Sequence, residues 1–280
     1  MTETRPPMRT VTGIAHVHTY YSYDGYYTPD QLAHIARARG WDFVLVSEHS
    51  NHLSRAAFEE LVRTCRALSN DSFLMFPSIE YTCDHMLHIL GYGAGYIDDF
   101  PTAPAELAGA IKKRGGLAIL SHPRKYAGSP GLITSELLDA VDGIEVWNSK
   151  LAYDGPWIAP LGNYDFVRPG KLAFCGQDAH FGKHFSSLVF RVRVASLTRE
   201  ELLASLRSGR YTMTNGVFEL DPWPPAPSAR TRFLRAADTA CALALRQARF
   251  VRNLIKGTGK LRPRPAIPEI QEREQKEQRQ

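Results

Sequence analysis

The chain has 280 residues, of which 44% are hydrophobic and 22% are charged, as is usual for a globular protein. Its four cysteines are scattered and form no CxxC pair, which argues against a disulfide framework and against a thiolate metal site. The sequence shows no run of about 18 apolar residues and no apolar N-terminal core. We therefore expect no transmembrane helix, no secretory signal and a cytoplasmic location.

The net charge of +5 is distributed unevenly along the chain. Residues 226–280 contain 13 Lys and Arg against 5 Asp and Glu, a net charge of +8, which leaves −3 for residues 1–225. The basic character therefore belongs to the C-terminal part and does not indicate that the main body binds nucleic acid.

Strand-like and helix-like segments alternate over most of the first 210 residues. Eight short apolar segments are predicted strands: Val11–His18, Asp42–Ser47, Phe73–Ile79, Leu87–Tyr92, Leu117–Ser121, Gly143–Trp147, Leu172–Cys175 and Ser187–Val194. Four segments have helical spacing or caps: Thr28–Arg39, Ser54–Leu68, Ala103–Arg114 and Thr198–Arg207. This alternation predicts an α/β protein of parallel βαβ units that forms a closed or nearly closed barrel. An open doubly wound sheet is the alternative.

A Pro-rich segment, Asp221–Ser228, interrupts this pattern. Four prolines in eight residues do not fit a helix interior or a central strand, so we interpret the segment as a linker. We predict a catalytic domain over residues 1–220 and a basic C-terminal part over residues 229–280. That part begins as a helix and ends in a disordered tail. The helix could pack on the barrel, mediate self-association or weakly contact an anionic membrane surface, while contact with nucleic acid ranks last.

Residue types that bind metals recur close to the ends of the predicted strands. His16 and His18 lie two positions apart on one strand, so their side chains should leave the same face. The candidate metal ligands are His16, His18, Asp24, His49, Glu80, His88, His122, Asp178 and His180. The strand ends of a parallel barrel meet at one rim, where such proteins build active sites. Buried carboxylates and imidazoles are costly without cations, and this ligand chemistry suits Zn²⁺, Mn²⁺ or Fe²⁺.

In chain order, the motifs HVHTYYSYDG, SEH, IEY with HILGYG, SHP and GQDAH resemble those of the PHP (polymerase and histidinol phosphatase) family. The resemblance spans roughly Thr10–Gly216 and implies a distorted, TIM-like (β/α)7-like barrel that holds two or three divalent metal ions. It implies the nine ligands named above, with Glu80 as the acid that bridges two ions. Family members commonly carry Asp where this chain has Glu48, a position that is not usually a ligand.

The resemblance implies a metal-dependent phosphoesterase that acts on a small phosphorylated metabolite or nucleotide. A hydrolase of a carboxylic ester, carbamate or amide is the first alternative, and a metal-binding regulatory domain without turnover is the second. Metal ions lower the pKa of a bound water, so no Ser or Cys nucleophile is required. We count four of the ligands as catalytic residues as well: His49, Glu80, Asp178 and His180. Either of the two histidines could act as a general acid if metal does not fully occupy it.

Basic and polar residues after the fifth and seventh strands are candidate contacts for a substrate phosphate. They are Arg124, Lys125, Lys183 and His184. Five tyrosines crowd the first loop, and they would favour a flat or aromatic substrate portion if they line the pocket. We expect Glu145 and Asn148 to support the site and not to bind metal.

Overall fold

The structure is a computed structural model that describes residues 7–126, 131–150 and 161–226, together with residues 228, 231–233, 236, 237, 240, 244 and 247. The chain divides into two compact units, Met1–Ala242 and Leu243–Gln280. Among the described residues, no helix has both the length and the apolar character needed to span a membrane.

Ten strands of the first unit form one curled sheet. In chain order they are β1 (Arg9–Val17), β2 (Phe43–His49), β3 (Leu74–Thr82), β4 (His88–Tyr92), β5 (Leu117–Leu120), β6 (Gly143–Asn148), β7 (Leu172–Gly176), β8 (Val189–Val194), β9 (Tyr211–Thr214) and β10 (Glu219–Leu220). Their order in the sheet is β10-β9-β8-β1-β2-β3-β4-β5-β6-β7. The strands β1 to β7 thus lie side by side in sequence order, unlike the strands of a doubly wound sheet.

Backbone hydrogen bonds join the segment after β7 to β1. Gln177 N donates to Ala15 O at 2.9 Å, and Ala179 N donates to His16 O at 3.2 Å. His18 N donates in return to Ala179 O at 2.8 Å. The curl from β1 to β7 is therefore closed at the edge of the sheet where these two strands end.

Five α-helices are described: α1 (Pro29–Ala38), α2 (Arg55–Leu68), α3 (Pro104–Lys113), α4 (Ser135–Ala140) and α5 (Arg199–Arg207). A capping box starts α1, because Thr28 Oγ1 accepts from Gln31 N and Gln31 Oε1 accepts from Thr28 N. The four predicted helices are confirmed to within one or two residues at each end. The short helix α4 was not predicted.

The strands around the site are apolar because both of their faces are covered. All seven residues of β2 and all six of β6 are buried. By contrast, β8 alternates, and its Arg191 and Arg193 are exposed. The α/β class is confirmed. The strand β8 was predicted as part of a parallel unit but pairs antiparallel with β1, and β9 and β10, which were not predicted, extend the sheet beyond it in antiparallel pairs.

The strand β4 also departs from the parallel pattern. It runs antiparallel to both β3 and β5, and a single 3-10 turn, Asp84–Met86, connects it to β3. Because β4 is reversed, its first residue, His88, lies at the same edge of the sheet as the last residues of its neighbours. Two other strand limits differ from the prediction, since His49 is the last residue of β2 and Glu80 lies inside β3.

The first residues of the Pro-rich segment lie against the sheet. The carbonyl of Asp221 accepts from Tyr164 Oη at 2.6 Å, and the carbonyl of Pro222 accepts from Ala173 N at 2.7 Å. Of the predicted C-terminal helix, the described residues 231–233, 236, 237, 240, 244 and 247 are helical. The rest of that helix and the predicted disordered tail lie outside the described residues.

Candidate metal centre

The nine predicted ligand side chains gather at the edge of the sheet where β1, β2 and β7 end. Eight of them are buried, and Asp24 is partly exposed. They come from six strands, β1 to β5 and β7, or from the four residues that follow such a strand, and from the loop after β1. Residues that are far apart in the sequence therefore form one polar cluster at an edge of an apolar, curled sheet.

Glu80 is the centre of this cluster, and five imidazoles surround its two carboxylate oxygens. Its Oε1 lies 2.9 Å from His88 Nδ1, 3.1 Å from His122 Nε2 and 3.2 Å from His16 Nε2. Its Oε2 lies 3.0 Å from His49 Nδ1 and 3.5 Å from His18 Nε2. Each oxygen thus faces its own set of histidines.

Two aspartates occupy the outer side of the cluster. Asp178 Oδ1 lies 3.6 Å from His18 Nε2 and 3.5 Å from His180 Nδ1. Asp24 Oδ2 lies 3.0 Å from His180 Nε2, and its Oδ1 lies 3.5 Å from His49 Nε2. Each aspartate therefore lies close to two imidazoles.

Four groups of three side chains have ligand atoms within 4.8 Å of one another. The groups are His18 with His49 and His180, His16 with His18 and Asp178, His16 with Glu80 and His122, and His49 with Glu80 and His88. Because the groups share members, the arrangement has the form of adjoining sites and not of one isolated site.

Buried atoms without hydrogen-bond partners show that the residues present fit metal ions. Among the described residues, six buried side-chain atoms of this cluster lack a hydrogen-bond partner. They are His16 Nε2, His18 Nε2, Asp24 Oδ1, Glu80 Oε2, His88 Nε2 and His180 Nε2. An unsatisfied buried polar group costs about 1–3 kcal/mol, and divalent cations would satisfy these lone pairs.

Hydrogen bonds on the far side of three imidazole rings fix the nitrogen that faces the cluster. His16 Nδ1 lies 2.9 Å from Glu145 Oε1, His18 Nδ1 lies 3.2 Å from Ser22 Oγ, and His180 Nδ1 lies 2.9 Å from the carbonyl of Asp178. With Nδ1 as the donor in each ring, Nε2 is the nitrogen that would offer its lone pair to a metal ion.

Glu145 supports the cluster from β6. Besides His16, it accepts from His122 N at 2.8 Å and from Asn148 Nδ2 at 2.8 Å through its Oε2. A glycine makes room for it, since a Cβ at Gly176 would overlap Glu145 Oε1 and lie 2.8 Å from the Cβ of His16. This placement agrees with the expectation that Glu145 and Asn148 support the site.

Glu48 points away from the cluster into the loop after β1. Its carboxylate accepts from the Ser22 hydroxyl and from the backbone and hydroxyl of Thr19. Burial raises the pKa of Glu48, and these hydrogen bonds oppose that effect. Ser22 Oγ also accepts from His49 N at 2.9 Å, so one hydroxyl links two ligand-bearing segments. The sequence analysis missed Thr19 and Ser22, although both lie within the first motif.

The carboxylates of the cluster raise the pKa values of two of its histidines, His16 and His49. Burial lowers the pKa of His16, but Glu80, Glu145 and Asp178 outweigh it and hold that pKa well above its usual value. Burial likewise opposes protonation of His49, yet its carboxylate neighbours raise its pKa to about 9. In the metal-free protein, protons therefore occupy positions that metal ions would take.

The opposite shift occurs at His18, whose pKa falls to about 3. Burial is the largest cause, and the positive charges of His49 and His180 add to it. Burial raises the pKa of Glu80, but the surrounding imidazoles, above all His16, hold it well below its usual value. A neutral imidazole beside an ionised carboxylate is the ligand state that divalent metals require.

Three candidate ligands have backbone conformations that are unusual for residues other than glycine. The φ angles are +57° at His16, +33° at His122 and +48° at Asp178. A register shift between Ala15 and Val17 shows that β1 bulges at His16. His16 and His18 do face the same cluster, but this bulge, and not regular strand alternation, directs the first ring there. Such conformations cost about 1–3 kcal/mol each and concentrate at functional sites.

The predicted substrate contacts are only partly brought to the cluster. His184 Nδ1 accepts from His180 N at 3.3 Å, which places it beside the cluster. Lys183 is exposed, with its Nζ 4.8 Å from the ring centroid of Phe181. Lys125 is exposed in the 3-10 turn Pro123–Tyr126, and the side chain of Arg124 in the same turn lies outside the described residues.

Two further side chains lie at the mouth of the cluster. Lys150, which the sequence analysis missed, places Nζ 3.0 Å from Asp178 Oδ1. It follows β6 by two residues, so its position just after a strand end was the available signal. Tyr23 is 57% exposed, and its ring is stacked over His49 with centroids 5.2 Å apart.

Two solved structures share the fold of this chain at low sequence identity. PsfC from Pseudomonas syringae PB-5123 matches 85% of this chain over 100% of its own, at 15% identity and a TM-score of 0.54. A two-domain protein from Bacteroides vulgatus ATCC 8482 that contains a predicted PHP-like metal-dependent phosphoesterase matches 74% of this chain, at 17% identity and a TM-score of 0.51. The match spans 65% of that two-domain protein.

The described residues share the fold of these two proteins, one of which contains a predicted PHP-like domain, and this likeness in fold agrees with the resemblance seen in the motifs. No protein-family model and no curated protein sequence matches the chain. The likeness therefore rests on the fold, and the chemistry of the site rests on the residues described above.

Proposed function

We propose that the chain is a metal-dependent phosphoesterase that cleaves a small phosphorylated metabolite or nucleotide on a distorted (β/α)7-like barrel. One observation carries this proposal: nine ligand-type side chains converge, and six of their buried atoms have no hydrogen-bond partner. Two or three divalent ions, as Zn²⁺, Mn²⁺ or Fe²⁺, suit this set of imidazoles and carboxylates. The proposed ligands are His16, His18, Asp24, His49, Glu80, His88, His122, Asp178 and His180.

Bound divalent ions would supply Lewis acidity and lower the pKa of a water molecule to near neutrality. The residues of the chain hold and orient this centre. Glu80 presents one oxygen to each of two histidine sets, which is the placement that a bridging carboxylate needs. Glu145 and Ser22 fix the rings of His16 and His18 from behind.

We assign catalytic roles to Glu80 and Asp178, whose carboxylates would help to hold the ions that activate a water, and to His49 and His180 as candidate proton donors. Both histidines lie beside Asp24, the partly exposed member of the cluster. A proton donor to a leaving group must reach solvent or substrate, and these two rings are on that side. Arg124, Lys125, Lys183 and His184 remain the proposed contacts for the phosphate.

A hydrolase of a carboxylic ester, carbamate or amide is the second candidate. The exposed ring of Tyr23, stacked over His49, favours a substrate with a flat or apolar portion next to the centre. This contact would serve an aromatic ester as well as a nucleotide, so the reaction itself has to separate the two candidates.

The test combines metal content with turnover of three substrates by one purified sample. Bound metal is counted by elemental analysis. Hydrolysis of p-nitrophenyl phosphate, bis-p-nitrophenyl phosphate and p-nitrophenyl acetate is then measured with Mn²⁺, Zn²⁺ or a chelator. Metal-dependent release from a phosphate supports the proposal, and release from the acetate alone supports the second candidate. Bound metal without any turnover would favour a regulatory metal-binding domain.

The remaining assignments concern the whole chain. We propose that residues 1–220 form the catalytic domain, that residues 221–228 connect it, and that residues 229–280 form the basic part. Its helix is a candidate for self-association or weak contact with an anionic membrane surface. A small phosphorylated molecule is the proposed partner of the site, in the cytoplasm.

A further inference from the structure

We propose that Lys150 binds the terminal phosphoryl oxygens of the substrate and makes the site selective for phosphomonoesters over phosphodiesters. This inference rests on the proposed phosphoesterase function and names the substrate class of the same site.

The backbone around Lys150 is held firmly against the rim. Lys150 N donates to Asn148 Oδ1 at 3.0 Å, and Asn148 in turn donates to Glu145. The preceding residue, Ser149, donates from its backbone N to Gly176 O at 3.0 Å and from its hydroxyl to Gln177 O at 3.1 Å. The side chain of Lys150 therefore starts from a fixed position beside the ligands.

The ammonium group reaches the cluster from the solvent side. Nζ lies 3.0 Å from Asp178 Oδ1, and the side chain is 36% exposed while that of Asp178 is 10% exposed. A lysine in this position has one end in the site and is open to a molecule that enters from solvent. The long alkyl chain and rotatable ammonium let it exchange one anionic oxygen for another.

Asp178 is the ion-pair partner of Lys150 and also a proposed metal ligand, so the ammonium and a metal ion would compete for the same carboxylate. A divalent ion held by Asp178 would take up the charge of this carboxylate, and the ammonium of Lys150 would then lack its anion. A partly buried cation without a partner is unfavourable, so an anionic substrate oxygen would replace Asp178 as the partner of Lys150.

The charge of the substrate determines how strongly the ammonium of Lys150 stabilises its binding. A phosphomonoester carries close to two negative charges at neutral pH and three terminal oxygens. A phosphodiester carries one charge and has fewer free oxygens for an extra cation. The ammonium of Lys150 thus adds a charge-assisted hydrogen bond that only the monoester can use fully.

The experiment compares Lys150→Met and Lys150→Arg with the wild-type protein. Inorganic phosphate is titrated into each metal-loaded protein by calorimetry, and bound metal is counted for each. The Met variant should bind phosphate about tenfold or more weakly, because a charge-assisted hydrogen bond is lost, and the Arg variant should bind within about threefold of wild type. KM for p-nitrophenyl phosphate should rise by a similar factor in the Met variant, and KM for bis-p-nitrophenyl phosphate by less than about twofold.

Lys171→Met is the matched control. Lys171 precedes β7, at the end of the strand opposite Asp178, and its Nζ donates to Asp139 O on the surface. This variant loses the same charge and should bind phosphate like wild type.

Equal phosphate affinity in wild type and Lys150→Met would overturn the inference, and so would a loss of bound metal in that variant. Failure of the proposed function looks different, because wild-type protein would then hydrolyse neither phosphate ester. The calorimetric comparison still decides the role of Lys150 in that case, because it measures phosphate binding without turnover.

Discussion

Replacing Glu145 by Gln tests whether the residues behind the cluster determine metal binding. The carboxylate of Glu145 accepts from His16 Nδ1 at 2.9 Å, from His122 N at 2.8 Å and from Asn148 Nδ2 at 2.8 Å. All three partners donate, and an amide of the same shape has only one acceptor oxygen.

Neither orientation of the new amide restores these hydrogen bonds. With its oxygen toward His16, the NH₂ group faces the N–H groups of His122 and Asn148. With its NH₂ group toward His16, the ring must accept at Nδ1, and its proton moves to Nε2, the atom that faces the cluster. One arrangement leaves buried donors unsatisfied, at about 1–3 kcal/mol, and the other blocks a metal-binding nitrogen.

We therefore expect Glu145→Gln to weaken metal binding by about 10- to 100-fold, the usual effect of losing a partner of a ligand. Metal affinity is measured by competition with a chromophoric chelator, and stability is measured separately by urea unfolding in EDTA. Glu106→Gln, the same change at an exposed position of α3, is the control and should alter stability by less than about 0.5 kcal/mol. Wild-type metal affinity in Glu145→Gln would refute the reasoning that this carboxylate orients His16.

Three further outcomes follow from the cluster. The double variant His16→Ala and His18→Ala should lose bound metal and turnover, and full activity would contradict the ligand assignment. Gly176→Ala should destabilise the protein by about 1–3 kcal/mol through overpacking against Glu145, whereas Gly109→Ala, in an open position of α3, should stabilise it by about 0.5–1 kcal/mol; urea unfolding of both compares them. Metal at about 100 times its Kd contributes about 2.7 kcal/mol, so a chelator should lower Tm by about 5–10 °C in a thermal scan. An unchanged Tm would show that the ions do not bind the folded state.

The sequence predicted the candidate ligands well because their signal is local. Each ligand except Asp24, which lies in the loop after β1, belongs to a short apolar strand or follows one by at most four residues. Strand positions are read easily from apolar runs bounded by caps and glycines. The starts and ends of β5 and β6 agree with the prediction to within one residue. This is why residues from nine positions could be expected at one edge of the sheet.

Strand direction could not be read in the same way. The apolar segment that forms β4 looks like its parallel neighbours, because a fully buried strand has the same composition in either direction. The bulge at His16 could not be predicted from the sequence either, since it depends on the pairing of β1 with β2 and not on the residue itself. The prediction placed His88 at the rim on the assumption that β4 runs parallel to its neighbours. In the structure, it is the antiparallel direction of β4 that brings His88 to this rim.

The supporting residues were missed or left open because their roles depend on distant partners. Ser22 contacts Glu48 and His49, which belong to another strand, and nothing in its own motif shows that contact. Lys150 was overlooked because the analysis followed acids and histidines, and a single lysine after a strand is common at protein surfaces.

The hydrogen bonds that join β1 to the segment after β7 have a consequence for the order of folding. They bring together His16 and His18, near the start of the chain, with Asp178 and His180, from its later part. Contacts of such long sequence separation form late, because loop closure must precede them. During synthesis, the strands β1 to β6 emerge without the last two ligands, so the nascent barrel offers only a partial site. We expect complete metal loading to follow closure of this seam, as a final step that converts an open curled sheet into a locked one.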